Sequence, residues 1–322
     1  MQALVLEELG HPLHLQEVDD PMAEAQEIVV SLRKAALNHR DYWITQGRYP
    51  GLQFPVILGS DGAGMVGARE VIINPGLHWG DDERVQSRKF RVLGMPDQGT
   101  FAQQIAVPAD HVYDKPAHLS WEEAAALPLA GLTAYRALVV QGKAVSGQKI
   151  LISGVGGGVA LTAMQLAVAL GAEVFVTSGH ERKIKRAREM GAAGGVNYSE
   201  DDWPRTLKGL AGPFDLIIDS AGGSGFNALV GLLAPGGRLV TYGGTLGKIR
   251  GLSPQRIFWR QLTIQGSTMG SQRDFREMLA FVSQHRIRPV VDRTFDLADG
   301  QAAIDYLRRG TQFGKVVLNI PQ

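Results

Sequence analysis

The sequence predicts an α/β protein in which a β-rich domain is interrupted by a doubly wound domain with a parallel sheet. Short segments rich in Val, Ile and Leu, separated by Gly, Pro and acidic residues, dominate the first 120 residues. From residue 149 onward, strand-like and helix-like segments alternate at the spacing of a parallel sheet. The length of 322 residues suits about two domains.

The first third of the chain is expected to consist of strands. The segments that predict them are residues 2–9, 13–18, 27–35, 56–66, 70–73 and 101–107. No helix of ordinary length is expected before Ser120, where the residues Ser-Trp-Glu-Glu form a capping box ahead of three alanines. We therefore predict that the first full helix begins there.

The middle of the chain predicts alternating strands and helices. The strands are expected at residues 149–154, 173–178, 196–198, 214–220, 238–242 and 262–266, with helices at 159–170, 181–190 and 226–233. After residue 266 we expect a helix at 273–285, an extended piece at 289–295, a short helix at 301–308 and a strand at 314–320. These last elements are too few for a domain of their own. The predicted domains are therefore 1–122 with 266–322, and 123–265 as an insertion.

Composition excludes several functions. Lys and Arg number 33 and Asp and Glu number 32, so bulk charge favours neither nucleic acid nor an anionic membrane as a partner. The absence of cysteine excludes disulfides, cysteine nucleophiles, iron–sulfur clusters and thiolate zinc sites. Residues 150–172 carry no charge, but a glycine cluster favours a strand, turn and buried helix over a membrane span. With no signal-peptide pattern at Met1, we expect a cytoplasmic protein.

A glycine-rich turn between a strand and a helix predicts a dinucleotide site. The residues Ser-Gly-Val-Gly-Gly-Gly-Val-Ala run from 153 to 160, where backbone N–H groups at a helix start can bind a pyrophosphate. Small residues fit the register Gly154-x-x-Gly157-x-x-Ala160 better than one that ends on Val159. A tight turn without a ligand is the alternative. The candidate cofactor residues here are Gly154, Gly156, Gly157, Gly158 and Val159.

The end of the next strand favours NADP(H) over NAD(H). An NAD site usually places an acidic residue there to bind the ribose hydroxyls, but this strand ends in Ser178-Gly179-His180. Ser178, Lys183 and Tyr198 could bind a 2′-phosphate instead. A solvated basic helix face is the alternative interpretation of the lysines and arginines around Lys183.

Several short blocks in addition to the glycine turn identify a family resemblance. They are ALNHRD (36–41), GSDGAG (59–64), GTFA (99–102), EEAA (122–125), LTAY (132–135) and GKVV (314–317). With these blocks in this order, the chain resembles the medium-chain dehydrogenase/reductase superfamily, in particular its zinc-free, quinone-oxidoreductase-like branch. The resemblance spans almost the whole chain. It implies a GroES-like β domain with an inserted Rossmann domain that binds NADP, hydride transfer from NADPH, and a homodimer.

The resemblance also implies that the usual zinc site is absent. The positions at which zinc-dependent relatives hold a catalytic metal correspond here to Asn38, Ser60 and Leu129, and none of these is a ligand that zinc prefers. A substitute site from His39, Asp61 and His78 is conceivable but disfavoured. We expect no metal.

The resemblance assigns further site residues. Asn38 is the candidate donor to a developing oxyanion, with a local turn role as the alternative, and Tyr42 is either a proton donor, a stacking platform or a wall. Lys315 is expected at the surface. The remaining cofactor candidates follow parallel strands or begin a helix: Thr133, Ser220, Tyr242, Gly243 and Ser267.

The expected function is zinc-independent, NADPH-dependent reduction of quinones or α,β-unsaturated carbonyls, which are small-molecule electrophiles. Without a metal, catalysis would depend on positioning and hydrogen bonding to the oxyanion. Two alternatives remain: an alcohol or aldehyde dehydrogenase of the same superfamily, and a non-catalytic NADPH-binding protein. The long loop at residues 74–96 has no assigned role, and a lid, a dimer contact or a rigid surface loop would each suit it.

Overall fold

The computed structural model describes residues 1–322, and the chain divides into two compact units. The first unit is Met1–Leu132 with Gly270–Gln322, and the second is Thr133–Met269. Both boundaries lie further along the chain than the predicted ones at 122/123 and 265/266. The helix Trp121–Ala126 contacts strands of the first unit, which keeps that segment with the first unit.

The strands are β1 (Gln2–Leu6), β2 (His14–Glu17), β3 (Glu27–Ala36), β4 (Val56–Ile57), β5 (Asp61–Val66), β6 (Arg69–Ile73), β7 (Gly76–Leu77), β8 (Arg91–Val92), β9 (Gln104–Pro108), β10 (Val112–Asp114), β11 (Lys149–Ile152), β12 (Glu173–Ser178), β13 (Gly194–Asn197), β14 (Phe214–Asp219), β15 (Leu233–Thr241), β16 (Thr263–Gly266), β17 (Val291–Asp296) and β18 (Lys315–Asn319). The helices are α1 (His39–Thr45), α2 (Trp121–Ala126), α3 (Pro128–Tyr135), α4 (Gly158–Ala169), α5 (Glu181–Glu189), α6 (Trp203–Ala211), α7 (Phe226–Leu232), α8 (Pro254–Trp259), α9 (Gln272–Gln284) and α10 (Gly300–Arg308). A π-helical segment, Arg136–Gln141, continues α3. None of these helices is both long enough and apolar enough to cross a membrane.

The first unit is built on a mostly antiparallel sheet with the strand order β10-β6-β5-β3-β18-β17, and β9 also pairs with β3. A small second sheet has the order β2-β1-β4. Their apolar faces share one core, in which Leu4, Leu32 and Phe101 are almost fully buried. The last strand, β18, pairs with β3, so strands that are far apart in the sequence lie side by side in this sheet.

The loop at residues 74–96 is a folded lobe of the first unit. Its ends pair as β7 and β8, and the Trp79 and Phe90 rings meet edge to face with centroids 5.3 Å apart. Leu77, Leu93 and Met95 are buried in the core of this unit. These contacts make the segment part of the packed structure of the domain.

The second unit is a six-stranded sheet in which every neighbouring pair is parallel, with the order β13-β12-β11-β14-β15-β16. Helices α4 to α8 connect these strands. The strand order reverses between β11 and β14, which is where open parallel sheets bind ligands at the carboxyl ends of their strands. The α/β fold predicted from the sequence, a GroES-like domain with an inserted parallel-sheet domain, is confirmed.

Candidate functional site

Three strands of the first unit bring together residues that are far apart in sequence. Ala36, the last residue of β3, is paired with Asp61 on one side and with Val317 on the other. Asn38 follows β3, Asp61 begins β5 and Lys315 begins β18. The pairing of these strands therefore fixes the positions of the three polar residues relative to one another.

The three side chains form a buried hydrogen-bonded cluster. The Lys315 ammonium donates to Asn38 Oδ1 at 2.6 Å and to Asp61 Oδ2 at 2.8 Å, and Asn38 Nδ2 donates to the same Asp61 oxygen at 2.9 Å. The other Asp61 oxygen accepts the Leu129 backbone N–H at 2.7 Å. Side-chain exposure is 5% for Lys315 and 0% for Asp61. The expected surface position of Lys315 is therefore wrong, because β18 turns this side chain into the interior.

Asn38 is the N-cap residue of α1 and forms a capping box with Asp41. The backbone N–H of Asn38 donates to Asp41 Oδ2 at 2.7 Å, which closes the first turn of the helix from the Asp41 side. The carboxamide also bonds to Lys315 and Asp61. Asn38 therefore takes part in the local turn and in the buried cluster, and its role as a donor to an oxyanion stays a prediction. Helix α1 itself, seven residues long, was not expected from the sequence.

Asp41 and Arg40 surround the cluster with further buried charge. Burial raises the pKa of Asp41 to about 6, although Arg40, the Asn38 backbone N–H and Lys315 act in the opposite direction. The Arg40 guanidinium donates to Ser60 Oγ at 2.6 Å and to the Leu93 carbonyl at 2.6 Å. Arg40 thereby ties the helix that follows Asn38 to the end of the 74–96 lobe.

Tyr42 lies half-buried on α1 and packs against the core of the first unit. Its ring lies 5.2 Å from Trp43 and 6.4 Å from His39, centroid to centroid. The aromatic group formed by these three side chains suits a wall beside a flat molecule. Whether Tyr42 donates a proton stays a prediction.

The three positions that the family resemblance equates with zinc ligands all belong to or adjoin the cluster of Asn38, Asp61 and Lys315. Asn38 contacts Lys315 directly, Leu129 donates to Asp61, and Ser60 precedes Asp61 and accepts from Arg40. The structure contains no group of three or more His, Cys, Asp or Glu side chains that could hold a metal ion. The substitute site considered from His39, Asp61 and His78 does not form as such a group.

The cofactor candidates of the second unit lie at one edge of its sheet. Because all six strands run in parallel, their carboxyl ends meet on the same side. The glycine turn follows β11, Ser178 ends β12, Tyr198 follows β13, Ser220 follows β14, Tyr242 follows β15 and Ser267 follows β16. Thr133, by contrast, lies in α3 with its hydroxyl directed at the Met269 sulfur, 3.7 Å away.

The glycine turn leaves room for a ligand at the start of α4. Gly154 has a φ of +69°, which side chains rarely adopt, and Gly157 is the N-cap residue with a φ of −82° that any residue could adopt. A Cβ on Gly157 would meet no protein atom within 4 Å. The fold therefore does not itself require glycine at 157. Backbone N–H groups at the start of a helix such as α4 are the kind of group that binds a phosphate.

Lys183 lies across this turn. A Cβ added to Gly156 would lie 2.8 Å from Lys183 Cδ and 3.1 Å from its Nζ, so glycine at 156 makes room for the lysine side chain. The Tyr198 ring packs in the same way on Gly179. Ser178 is buried, and its hydroxyl donates to the Val155 carbonyl at 3.1 Å, so in this conformation the hydroxyl stabilises the turn.

The other strand ends are held together by Asp219. Its carboxylate accepts from Ser153 Oγ at 2.6 Å and from the Gly222 N–H at 2.9 Å, which joins the ends of β11 and β14. Gly243 approaches Ser220 so closely that a Cβ would lie 2.6 Å from the Ser220 carbonyl oxygen. Burial raises the pKa of Tyr242 well above its usual range. The Ser267 hydroxyl is buried without a hydrogen-bond partner.

Sequence reasoning missed the roles of Asp61, Lys315 and Asp219. The available signal was a charged residue at an end of a strand whose other residues are small or apolar, as in Asp-Gly-Ala-Gly-Met-Val and Lys-Val-Val-Leu. Such a residue is buried with its strand and must find a partner.

The comparisons with known proteins agree with this architecture. The model of the alcohol dehydrogenase GroES-like domain matches residues 24–117, and that of the zinc-binding dehydrogenase domain matches residues 158–284. The zinc-type alcohol dehydrogenase-like protein YogA of Leptosphaeria maculans is 38% identical over 96% of this chain and 95% of its own length. The chain belongs to the medium-chain dehydrogenase/reductase superfamily.

Solved structures of this superfamily superpose over the whole chain. A crystal structure of an NAD-dependent alcohol dehydrogenase has a TM-score of 0.94 and 35% identity, and it covers 100% of both chains. The quinone oxidoreductase of Thermus thermophilus, determined also in complex with NADPH, has a TM-score of 0.84 and 30% identity over 99% of this chain and 100% of its own. The chain is therefore an oxidoreductase of this superfamily, whose members depend on nicotinamide cofactors.

Proposed function

We propose that this protein is a zinc-independent, NADPH-dependent reductase of quinones or α,β-unsaturated carbonyls. The observation that carries the proposal is the cluster of Asn38, Asp61 and Lys315. In place of metal ligands, the first unit presents a carboxamide that is fixed by an ammonium and a carboxylate. Hydrogen bonding can stabilise an oxyanion on a substrate that already delocalises charge.

The residues of the second unit fit a nicotinamide dinucleotide with a 2′-phosphate. Open space beside Gly157, the exposed start of α4 and the unpartnered Ser267 hydroxyl are suited to a pyrophosphate and a polar headgroup. Lys183 lies on the turn itself, and no acidic residue ends β12. These features support NADPH over NADH.

When bound, the reduced nicotinamide supplies a hydride to the electron-poor carbon of the substrate. An enone or quinone then carries negative charge on its oxygen, and a proton taken up from solvent completes the reduction. In this proposal Asn38 Nδ2 donates a hydrogen bond to that oxygen, and the aromatic group on α1 forms a wall for a flat substrate.

The test is a turnover assay of the purified protein with NADPH and a panel of para-quinones and enones. Zinc content is measured on the same sample, and the assay is repeated after dialysis against a chelator. We expect turnover with NADPH, much slower turnover with NADH, less than stoichiometric zinc and no loss on chelation. Zinc bound one to one, with activity that disappears on its removal, would contradict the proposal.

One alternative is favoured by the relatives. The Leptosphaeria protein is named zinc-type, and one close structure is that of an NAD-dependent alcohol dehydrogenase. Oxidation of alcohols with NAD and no reduction of quinones would support an alcohol or aldehyde dehydrogenase. Tight NADPH binding without turnover of either panel would support a non-catalytic NADPH-binding protein.

We also propose that the protein is a homodimer and that it is cytoplasmic. Features of the structure support the dimer. Strand β16 is an edge of the parallel sheet, so one side of its backbone has no strand partner. Four apolar residues that precede it are exposed: Leu246, Ile249, Phe258 and Trp259. A second copy related by a two-fold axis would pair β16 with β16 and cover these side chains. The cytoplasmic location depends on the sequence alone.

A further inference from the structure

The orientation of the Asn38 carboxamide follows from the chemistry of its two partners. An ammonium can only donate hydrogen bonds, so the group that faces Lys315 Nζ at 2.6 Å must be the amide oxygen. A carboxylate can only accept, so the group that faces Asp61 Oδ2 at 2.9 Å must be the amide nitrogen. The flipped amide would place like groups against each other at both contacts.

This arrangement leaves one donor of Asn38 available. Asn38 Nδ2 carries two hydrogens, and the hydrogen bonds of the structure use one of them, on Asp61. Because the amide is planar and held at both ends, the second N–H has a fixed direction. The charge of Lys315 at the amide oxygen draws electron density from the nitrogen and makes the remaining N–H a stronger donor.

The cation is itself rigidly held. Lys315 is the first residue of β18, and the next three residues, Val316, Val317 and Leu318, are fully buried. The carboxylate of its counter-ion, Asp61, accepts a hydrogen bond from the Leu129 backbone N–H. The backbone carbonyl of Asp61 accepts a hydrogen bond from Thr100 Oγ1 at 2.8 Å. A buried ion pair with these additional hydrogen bonds keeps a single geometry.

We propose that Lys315 is a positioning residue for the reduction: its ammonium, fixed by Asp61, orients and polarises the Asn38 carboxamide so that the remaining Nδ2–H binds the oxygen of the substrate as negative charge develops there. This inference rests on the proposed function. Lys315, on the last strand, does not contact the substrate; it acts by orienting the donor group of Asn38.

The kinetic test compares Lys315→Met, Asn38→Ala and the double variant with the unchanged protein. We expect Lys315→Met and Asn38→Ala each to lower kcat by ~10²-fold, the effect of removing one preorganised donor. The KM of the oxidant and the NADPH Kd should stay within about threefold of the wild-type values, because the donor acts on charge that develops during the reaction. The double variant should be no slower than the slower single variant, since both changes remove the same donor.

Lys34 provides a matched control. It also forms an ion pair in the first unit, with Glu122 at 2.7 Å, and it lies on β3, which pairs with β18. Lys34→Ala should leave kcat within twofold. A Lys315→Met variant with kcat within threefold of wild type, or single losses that multiply in the double variant, would overturn the proposal.

A second variant distinguishes a loss of stability in Lys315→Met from a loss of the positioning of Asn38. Lys315→Met alone leaves Asp61 buried without its counter-ion, which destabilises a fold strongly. Lys315→Met combined with Asp61→Asn removes both charges and keeps an acceptor for the Leu129 N–H. We expect this variant to regain thermal stability but not kcat. Recovery of kcat together with stability would show that the ion pair serves folding alone.

A spectroscopic readout separates this inference from the proposed function. The chain has five asparagines, so selective ¹⁵N labelling of their side chains gives few amide signals, and Asn38→Asp assigns the one of interest. In Lys315→Met we expect its two amide protons to move upfield and to exchange faster with water, and in Lys34→Ala to stay unchanged. Unchanged Asn38 signals in Lys315→Met would overturn the positioning role whatever the activity. If the signals change but the wild-type protein reduces no quinone or enone, the reduction is overturned and the control of Asn38 by Lys315 stands.

Discussion

At the scale of single residues, the proposed function makes Lys183 the candidate determinant of cofactor choice. Its side chain lies on Gly156 at the glycine turn, whereas Lys185, two residues further along the same helix, is exposed. A charge-assisted hydrogen bond contributes about 1.5–3 kcal/mol, which corresponds to roughly 10- to 100-fold in affinity. We expect Lys183→Ala to weaken NADPH binding by that factor and to leave NADH binding nearly unchanged.

Fluorescence titration with both cofactors measures this difference, and Lys185→Ala is the matched control because it removes the same charge from the exposed face. Equal losses for NADPH and NADH in Lys183→Ala would show that the lysine shapes the turn and does not read the 2′-phosphate. A loss in Lys185→Ala of the same size would point to the general positive field of α5.

Asp41 gives a second prediction at this scale, for stability. Its pKa in the folded protein is raised to about 6 from 3.8, chiefly by burial, so the ionised carboxylate is less stable in the fold than in the unfolded chain. The favourable contribution of the protonated form is complete below the unfolded value and is lost as pH rises through about 6. Ionised Asp41 therefore costs ~3 kcal/mol at pH 8.

Asp41→Asn should consequently be more stable than the wild type at pH 8, since its amide oxygen can still accept the Asn38 backbone N–H. Urea unfolding at pH 8 and at pH 4.5 tests this, and the advantage of the variant should shrink by roughly 2 kcal/mol between the two. Arg40, Lys315 and Asp61 face the same carboxyl, and their charges are common to both proteins. An advantage that does not depend on pH would contradict the assigned cause.

At the scale of elements, a substitution at the start of α4 is expected to weaken cofactor binding with little effect on stability. An alanine at Gly157 would meet no protein atom and would keep an allowed backbone conformation, but its methyl group would occupy the open space at the helix start. We expect Gly157→Ala to change Tm by only a few degrees, because glycine and alanine differ at an N-cap by about 1 kcal/mol or less. The NADPH Kd should rise at least tenfold.

The control for this prediction is Gly209→Ala in α6, where an added Cβ also meets nothing within 4 Å. That variant should gain a little stability from the helix propensity of alanine and bind NADPH normally. Calorimetry and titration on the same samples give both quantities. Normal NADPH binding by Gly157→Ala would mean that the pyrophosphate does not lie against the start of α4.

The elements were largely predictable from the sequence, but the polar cluster was not. Alternating apolar residues and glycine turns predict most strands and a helix at 159–170, close to the observed α4, since these signals are local. Asn38, Asp61 and Lys315 meet because β3 lies between β5 and β18, and no local pattern specifies that order. Helix α1 was not predicted because it is only seven residues long. Its capping box consists of Asn38 and Asp41, whereas the usual capping box has Ser or Thr at the N-cap and Glu at N3.

At the scale of the whole molecule, the edge strand β16 predicts the oligomeric state. Trp259 is 83% exposed and Phe258 61% exposed, an arrangement that a water-exposed surface does not favour for neighbouring aromatic residues. Pairing of β16 with its copy across a two-fold axis would satisfy the free backbone groups and bury both rings. We expect a dimer of about 70 kDa, twice the chain mass of 34.8 kDa.

Analytical ultracentrifugation of the wild type and of a Phe258→Glu/Trp259→Glu variant tests the interface. The charged side chains should shift the protein to the monomer mass, because two like charges from each copy would face one another across the two-fold axis. Met22→Glu, at a residue that is 89% exposed in the first unit, should leave the dimer intact. The NADPH Kd of the monomeric variant should match that of the wild type, since the glycine turn, Lys183 and Ser267 all belong to one chain. A variant that stays dimeric would place the interface elsewhere on the molecule.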